Sequence, residues 1–226
     1  MELTIDTGTK AGAVSGILNL PKGADALLVF AHGAGAGMRH SFMETMSQLL
    51  GELGIGTLRY QFPYMEAGRG GPDRPVVLEA TVGAAVAEAA RLASGLPLLA
   101  GGKSMGGRMT SGAAAKALLS GVTGLVFFGF PLHQPGKPGT ARADHLSQVT
   151  VPMLFIQGTR DSLADLGLIR EVTGRLGRRA TVHVVEGGDH SFHVPKRAGR
   201  TDGEALAEVA RVVREWASQS ANVPAP

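Results

Sequence analysis

Apolar positions along the chain come in two alternating textures. Short unbroken runs recur as "ALLVFAHG", "IGTLRYQF", "LPLLAGGKS", "GLVFFGFPL", "PMLFIQGTRD" and "TVHVVEGGDH". Continuous apolarity of this kind marks strands covered on both faces, as in a parallel sheet. Between the runs the period changes to that of a helix. Phe42, Met46, Leu49, Leu50 and Leu53 share one face, as do Leu78, Val82, Val86 and Ala89. Ile169, Val172 and Leu176 form a third apolar stripe, and Leu206, Val209, Ala210, Val213 and Trp216 a fourth. An earlier pair, "LTIDT" and "GAVSGILNLP", reads as an antiparallel hairpin at the start of the sheet. Alternating strands and helices predict a mostly parallel, doubly wound α/β sheet with helices on both faces.

Two long connections interrupt the alternation, residues 61–75 ("QFPYMEAGRGGPDRP") and 131–146 ("PLHQPGKPGTARADHL"). Both follow strand C-terminal ends, where open α/β sheets bind ligands. The second is too short for a large cap domain. No internal repeat is found, and 226 residues suit one α/β domain, expected over 1–219. The small, polar, proline-containing tail at 220–226 is expected to fray.

Composition narrows the class. With 44% hydrophobic and 18% charged residues the chain is a globular protein. The net charge of +3 comes from scattered arginines, so no basic face points to nucleic acid. The absence of cysteine excludes disulfides, thiolate metal sites and a cysteine nucleophile. The polar start "MELTIDTGTK" lacks a signal-peptide pattern, and no apolar run reaches the ~20 residues of a membrane span. A cytoplasmic protein without membrane partners is expected.

The stretch "AGGKSMGGRM", Ala100 to Met109, offers two chemistries. As a phosphate loop it needs glycine five positions before Gly102, where Pro97 stands, read here as inside a strand. The cluster "HGAGAGMRH" misses the dinucleotide fingerprint, because Met38 occupies the third glycine position. The frame Gly102-Lys103-Ser104-Met105-Gly106 instead fits a nucleophile elbow between strand and helix. Glycines flank the serine because the turn leaves no room for side chains. The alternative is a glycine-rich turn with a capping serine.

The partners favour the elbow. A serine hydroxyl needs a base, and the base needs an orienting carboxylate. On this arrangement of strands the order along the chain is Ser, Asp, His. Asp161 ends the strand "PMLFIQG" and His190 ends "TVHVVEGG", so three groups meet on one sheet edge. Asp165 reads as a first-turn helix acid, Asp189 as a turn stabiliser, His193 as a surface or supporting residue, and His183 as a packed strand histidine. His40, His133 and His145 have no constellation of their own. No His pair has metal-ligand spacing, so neither metal nor cofactor is expected. Ala34 is the expected second oxyanion N–H beside Met105, with Gly33 and Gly35 opening the loop and His32 shaping it.

With "AHGAGAG", "GGKSMGG", "GTRD" and "GGDHSF" in place, the chain resembles the α/β-hydrolase superfamily from the first hairpin to the helix of Trp216. Within it the chain looks like the small, capless, dienelactone-hydrolase-like group. The segments "FPYMEAGRGGPDRP" and "FPLHQPGKPG" resemble bacterial homologues of the testis-expressed hydrolase-like family. The resemblance implies an α/β-hydrolase fold with Ser104, Asp161 and His190 as the triad. It implies no substrate, and dienelactone hydrolases use a cysteine nucleophile that this chain lacks. A small ester or thioester and water are the expected partners. An interaction module with little turnover, because some relatives serve in larger complexes, and a peptidase remain open as alternatives. Tyr64, Met65, Arg69 and Lys103 are candidates for the substrate mouth. Residues 61–75 read equally as a mobile flap or as a packed loop. Lys103 reads either as a contact for an acidic substrate group or as a side chain pointing away along the surface.

Overall fold

The computed structural model describes residues 1–220. Among them, one sheet contains β1 (Glu2–Asp6), β2 (Ala13–Asn19), β3 (Ala26–Ala31), β4 (Ile55–Tyr60), β5 (Leu98–Lys103), β6 (Val122–Phe128), β7 (Met153–Gly158) and β8 (Ala180–Val185). Their order across the sheet is β1-β2-β4-β3-β5-β6-β7-β8. β1 pairs antiparallel with β2, as the opening hairpin predicts, and β2 pairs antiparallel with β4. All later neighbours are parallel.

Six helices accompany the strands among the described residues: α1 (Ser41–Glu52), α2 (Pro63–Glu66), α3 (Pro75–Leu92), α4 (Met105–Ala115), α5 (Leu166–Leu176) and α6 (Asp202–Ser220). Strand alternation divides the core into two layers. On β3, Leu27, Val29 and Ala31 pack with Val82 and Val86 of α3, Met109 of α4 and Ile169 of α5. Leu28 and Phe30 point the other way, onto Phe42 and Met46 of α1 and Val209, Val213 and Trp216 of α6. The apolar stripes read from the sequence are the faces these helices bury. No separate cap stands over the sheet among the described residues.

Local chemistry sets several boundaries. Pro75 opens α3, where its missing N–H costs nothing. Asp165 is the N-cap of α5 and accepts from Leu168 N–H at 3.0 Å, a contact worth about 1 kcal/mol. Three details differ from expectation. Pro97 lies just before β5 rather than inside it. It has no N–H for a ladder, although its carbonyl accepts from Leu27 N–H at 3.0 Å. Residues 61–75 contain α2, and residues 131–146 run into a 3-10 helix at Ala141–Gln148. β8 is an edge strand among the described residues, with only Val185 fully buried, because no described strand pairs with its outer side. Of the tail expected to fray, Ser220 closes α6 and residues 221–226 lie outside the described chain.

Candidate active site

Ser104 occupies the sharp turn between β5 and α4, with φ 51° and ψ −117°. A non-glycine residue held there stores about 1–3 kcal/mol of backbone strain. The turn is held by Ser104 N–H donating to Phe128 O at 3.1 Å, and by Arg108 N–H donating to Ser104 O at 3.2 Å. The flanking glycines are steric necessities. A Cβ on Gly102 would stand 2.6 Å from Ala31 O, and one on Gly106 would stand 2.5 Å from the same atom. Met105 is the first residue of α4, so its N–H has no acceptor within the helix.

The carboxylate and imidazole arrive from neighbouring strand ends. Asp161 follows β7 and is buried. Its Oδ1 accepts from Leu163 N–H at 2.8 Å, and its Oδ2 accepts from Gln157 Nε2 at 2.7 Å. His190 follows β8 in a turn tied by Asp189, whose side chain accepts from Ser191 N–H at 2.7 Å and His193 N–H at 3.0 Å. His190 Nδ1 lies 2.8 Å from Asp161 Oδ2, and Nε2 lies 2.8 Å from Ser104 Oγ. A carboxylate only accepts, so Nδ1 carries the proton. Nε2 is then the acceptor for the serine hydroxyl. The three side chains form one directed chain of hydrogen bonds.

A cavity of about 530 Å³ opens above it. Its lining includes Ala34, Phe42, Met43, Lys103, Ser104 and His190. Ala34 sits in a turn closed by Ala36 N–H donating to Gly33 O at 3.3 Å, with Gly35 at φ +72°. That turn leaves the Ala34 N–H unused by its own closure. His32 anchors the turn from below. Phe62 N–H donates to its Nε2 at 3.0 Å, so Nδ1–H donates to Gly33 O at 2.8 Å. Burial lowers the His32 pKa to about 4, which keeps the ring neutral.

Ser104, Asp161, His190, Ala34, Met105 and Lys103 are therefore brought to one strand edge. Tyr64, Met65 and Arg69 are not brought to the lining of this cavity. Pro63 starts the single turn of α2, which drives Tyr64 into the core with its OH 3.4 Å from Gly35 N–H. Met65 packs against that core, and Arg69 turns outward to Asp73 at 2.7 Å. Tyr64 thus supports the glycine turn from behind. Glu66 of α2 accepts from the N–H and hydroxyl of Ser15 on β2, at 3.0 and 2.8 Å. These contacts dock the first part of the connection as packed structure.

The remaining histidines have separate partners. His193 Nδ1 meets Asp202 at 2.7 Å, His183 meets Glu208 at 2.6 Å, and His145 meets Ser111 at 2.8 Å. Ser111 also donates to Arg108 O at 2.9 Å, which leaves it no proton for His145. Gln157 is the site residue that the motifs overlooked. It bridges Asp161 and Phe130 N–H, and its only advance signal was a buried polar residue near the end of an apolar strand. Among the described residues no three His, Asp or Glu groups are arranged to hold a metal ion. No described helix is long and apolar enough to cross a membrane.

Solved structures with the same architecture include an α/β serine hydrolase without lid from Xanthomonas campestris. It has a TM-score of 0.74 and 21% identity, with 100% of this chain and 96% of that one covered. A dienelactone hydrolase from Anabaena variabilis has a TM-score of 0.73 and 21% identity, covering 96% of both chains. Est1E from Butyrivibrio proteoclasticus, with ferulic acid bound, has a TM-score of 0.74 and 16% identity, covering 98% and 100%. The α/β-hydrolase domain family matches residues 24–218, and the chain belongs to that family.

Proposed function

We propose that this chain is a serine hydrolase that cleaves small ester-like substrates through an acyl-enzyme on Ser104. The hydrogen-bond chain from Asp161 through His190 to Ser104, at the floor of an open cavity, carries this reading. Ser104 Oγ attacks the substrate carbonyl while His190 Nε2 takes its proton. The oxyanion forms between the N–H groups of Met105 and Ala34, where losing one such donor typically costs about 3–4 kcal/mol of barrier. His190 then protonates the leaving alcohol or thiol. In the second half, His190 deprotonates a water that attacks the acyl carbonyl, and Ser104 leaves with that proton. Asp161 keeps the imidazole in the required tautomer and stabilises its charge.

Two features support esters over amides and small substrates over long lipids. Structural relatives include Est1E with ferulic acid bound and an esterase domain from Rhodothermus marinus. The cavity also has no cap to enclose a long chain among the described residues.

The test is labelling by a fluorophosphonate, followed by a panel of matched esters, thioesters and amides. Ser104-dependent labelling and ester turnover are expected. Native wild-type protein that resists the probe would overturn the reading, and preferential amide cleavage would reassign it to peptidase chemistry.

A further inference from the structure

We propose that Lys103 is a positioning residue for His190, clamping the loop of the imidazole to the strand of the serine. This rests on the reading of Ser104 and His190 as nucleophile and base. Lys103 closes β5 immediately before Ser104 and is buried. Its Nζ donates to the backbone carbonyl of His190, 87 positions later in the chain. The ammonium lies 5.7 Å from the ring centroid of Phe42 on α1 and 5.6 Å from that of Phe192 in the His190 loop. Those rings also lie against each other, with centroids 6.0 Å apart. Opposite them is Gly129, where a Cβ would stand 3.0 Å from Nζ and 3.3 Å from His190 Nδ1.

The sheet explains why a clamp is needed. β6 and β7 separate β5 from β8, and β8 is an edge strand. Among the described residues no backbone ladder joins the serine strand to the histidine loop. The Ser104–His190 contact therefore depends on how the loop is held over two intervening strands. Lys103 spans that gap with a charge-assisted bond to the peptide of the base itself. An ammonium directed at a carbonyl and two rings already has partners in the protein, so its place in the cavity lining is explained without an acidic substrate group.

Asp161 after β7 and Asp189 after β8 are the carboxylates whose charges favour the ammonium, and His40 at the head of α1 lines the same cavity. Burial outweighs the carboxylates and lowers the Lys103 pKa to about 8. The charge-assisted part of the clamp then weakens as pH rises through that value.

Lys103→Met and Lys103→Ala test the assignment, using ester kinetics, fluorophosphonate labelling and urea unfolding. The Met variant is expected to lose about 10- to 100-fold in kcat and labelling rate, with KM little changed. Its unfolding midpoint should match or exceed that of wild type. In the Ala variant, n-propylammonium, which replaces the three lost carbons and the nitrogen, should restore activity, whereas tetramethylammonium, which has no N–H, should not. Wild type with each amine controls for aminolysis. The wild-type profile should fall near pH 8, and that limb should vanish in Lys103→Met. Wild-type kcat in the Met variant overturns the proposal, as does a folded Ala variant that n-propylammonium leaves inactive. If the variants do not fold, a wild-type profile flat through pH 8 overturns it. Failure of the hydrolase reading looks different, because wild type itself then resists the probe.

Discussion

Gln157 Nε2 donates to Asp161 Oδ2 at 2.7 Å, the same oxygen that accepts from His190 Nδ1 at 2.8 Å. Gln157 also accepts from Phe130 N–H at 3.1 Å through Oε1. One buried amide therefore orients the carboxylate and satisfies the chain after β6. Gln157→Leu is expected to cost about 1–3 kcal/mol in urea unfolding, because it leaves the buried Phe130 N–H unpaired and takes one donor from Asp161. Gln157→Glu keeps an acceptor for Phe130 but removes the donor to Asp161. Both variants should slow fluorophosphonate labelling. Wild-type rates in both would separate Gln157 from the site.

Ser104 trades stability for presentation of its hydroxyl. Glycine adopts φ 51° without a Cβ penalty, so Ser104→Gly should release the stored strain. A net gain of about 1 kcal/mol is expected after glycine's own entropic cost, with labelling abolished. Thermal unfolding of the two proteins side by side is the check, and a less stable glycine variant would contradict the strain argument.

His190 and His193 should separate cleanly. His190→Ala is expected to lose labelling and His193→Ala to keep it. His193 should show itself in stability instead. Its hydrogen bond and ion pair with Asp202 raise its pKa above the ordinary 6.5, while the Asp202 pKa is lowered from 3.8. The His193 contribution is then fully present below about pH 6.5 and lost as pH rises through the raised value. The Asp202 contribution is present above its unfolded value and lost as pH falls through the lowered one. Unfolding of His193→Ala and wild type across pH should differ most between those limits.

Lys103 gives a stability profile of opposite sense. Its folded pKa is about 8, below its ordinary 10.5. Between these values the unfolded chain binds more protons, so stability from this group rises with pH. Wild type should gain up to about 3 kcal/mol relative to Lys103→Met between pH 8 and 10.5. Denaturant titrations across that range test the sign. An equal pH response in the two proteins would show that the ammonium is not desolvated.

The strand and helix pattern was readable because a two-faced sheet demands unbroken apolar runs, and each covering helix demands a stripe. The glycines at 102 and 106 were readable because a backbone-to-backbone approach admits no Cβ. Tyr64 was expected at the mouth and lies in the core, whereas Lys103 was expected at the mouth and does line the cavity, with a partner the sequence did not show. Both lie beside long connections or turns, where polar atoms in a sequence look like exposed ones. Tyr64 is folded inward by a helical turn started at Pro63, and Lys103 is held by a carbonyl far along the chain.

The alternation of elements, the glycine frame around Ser104, and the choice and order of Ser104, Asp161 and His190 could be read directly from the chain. These are local steric and periodic demands, each written within a few residues. The assembled fold was needed to show that Gln157 holds Asp161, that Tyr64 is folded into the core, and that the Lys103 ammonium meets the carbonyl of His190. A side chain's direction follows from which buried donor, acceptor or ring lies within reach. That is settled by strands and loops separated along the chain and joined only when the sheet forms.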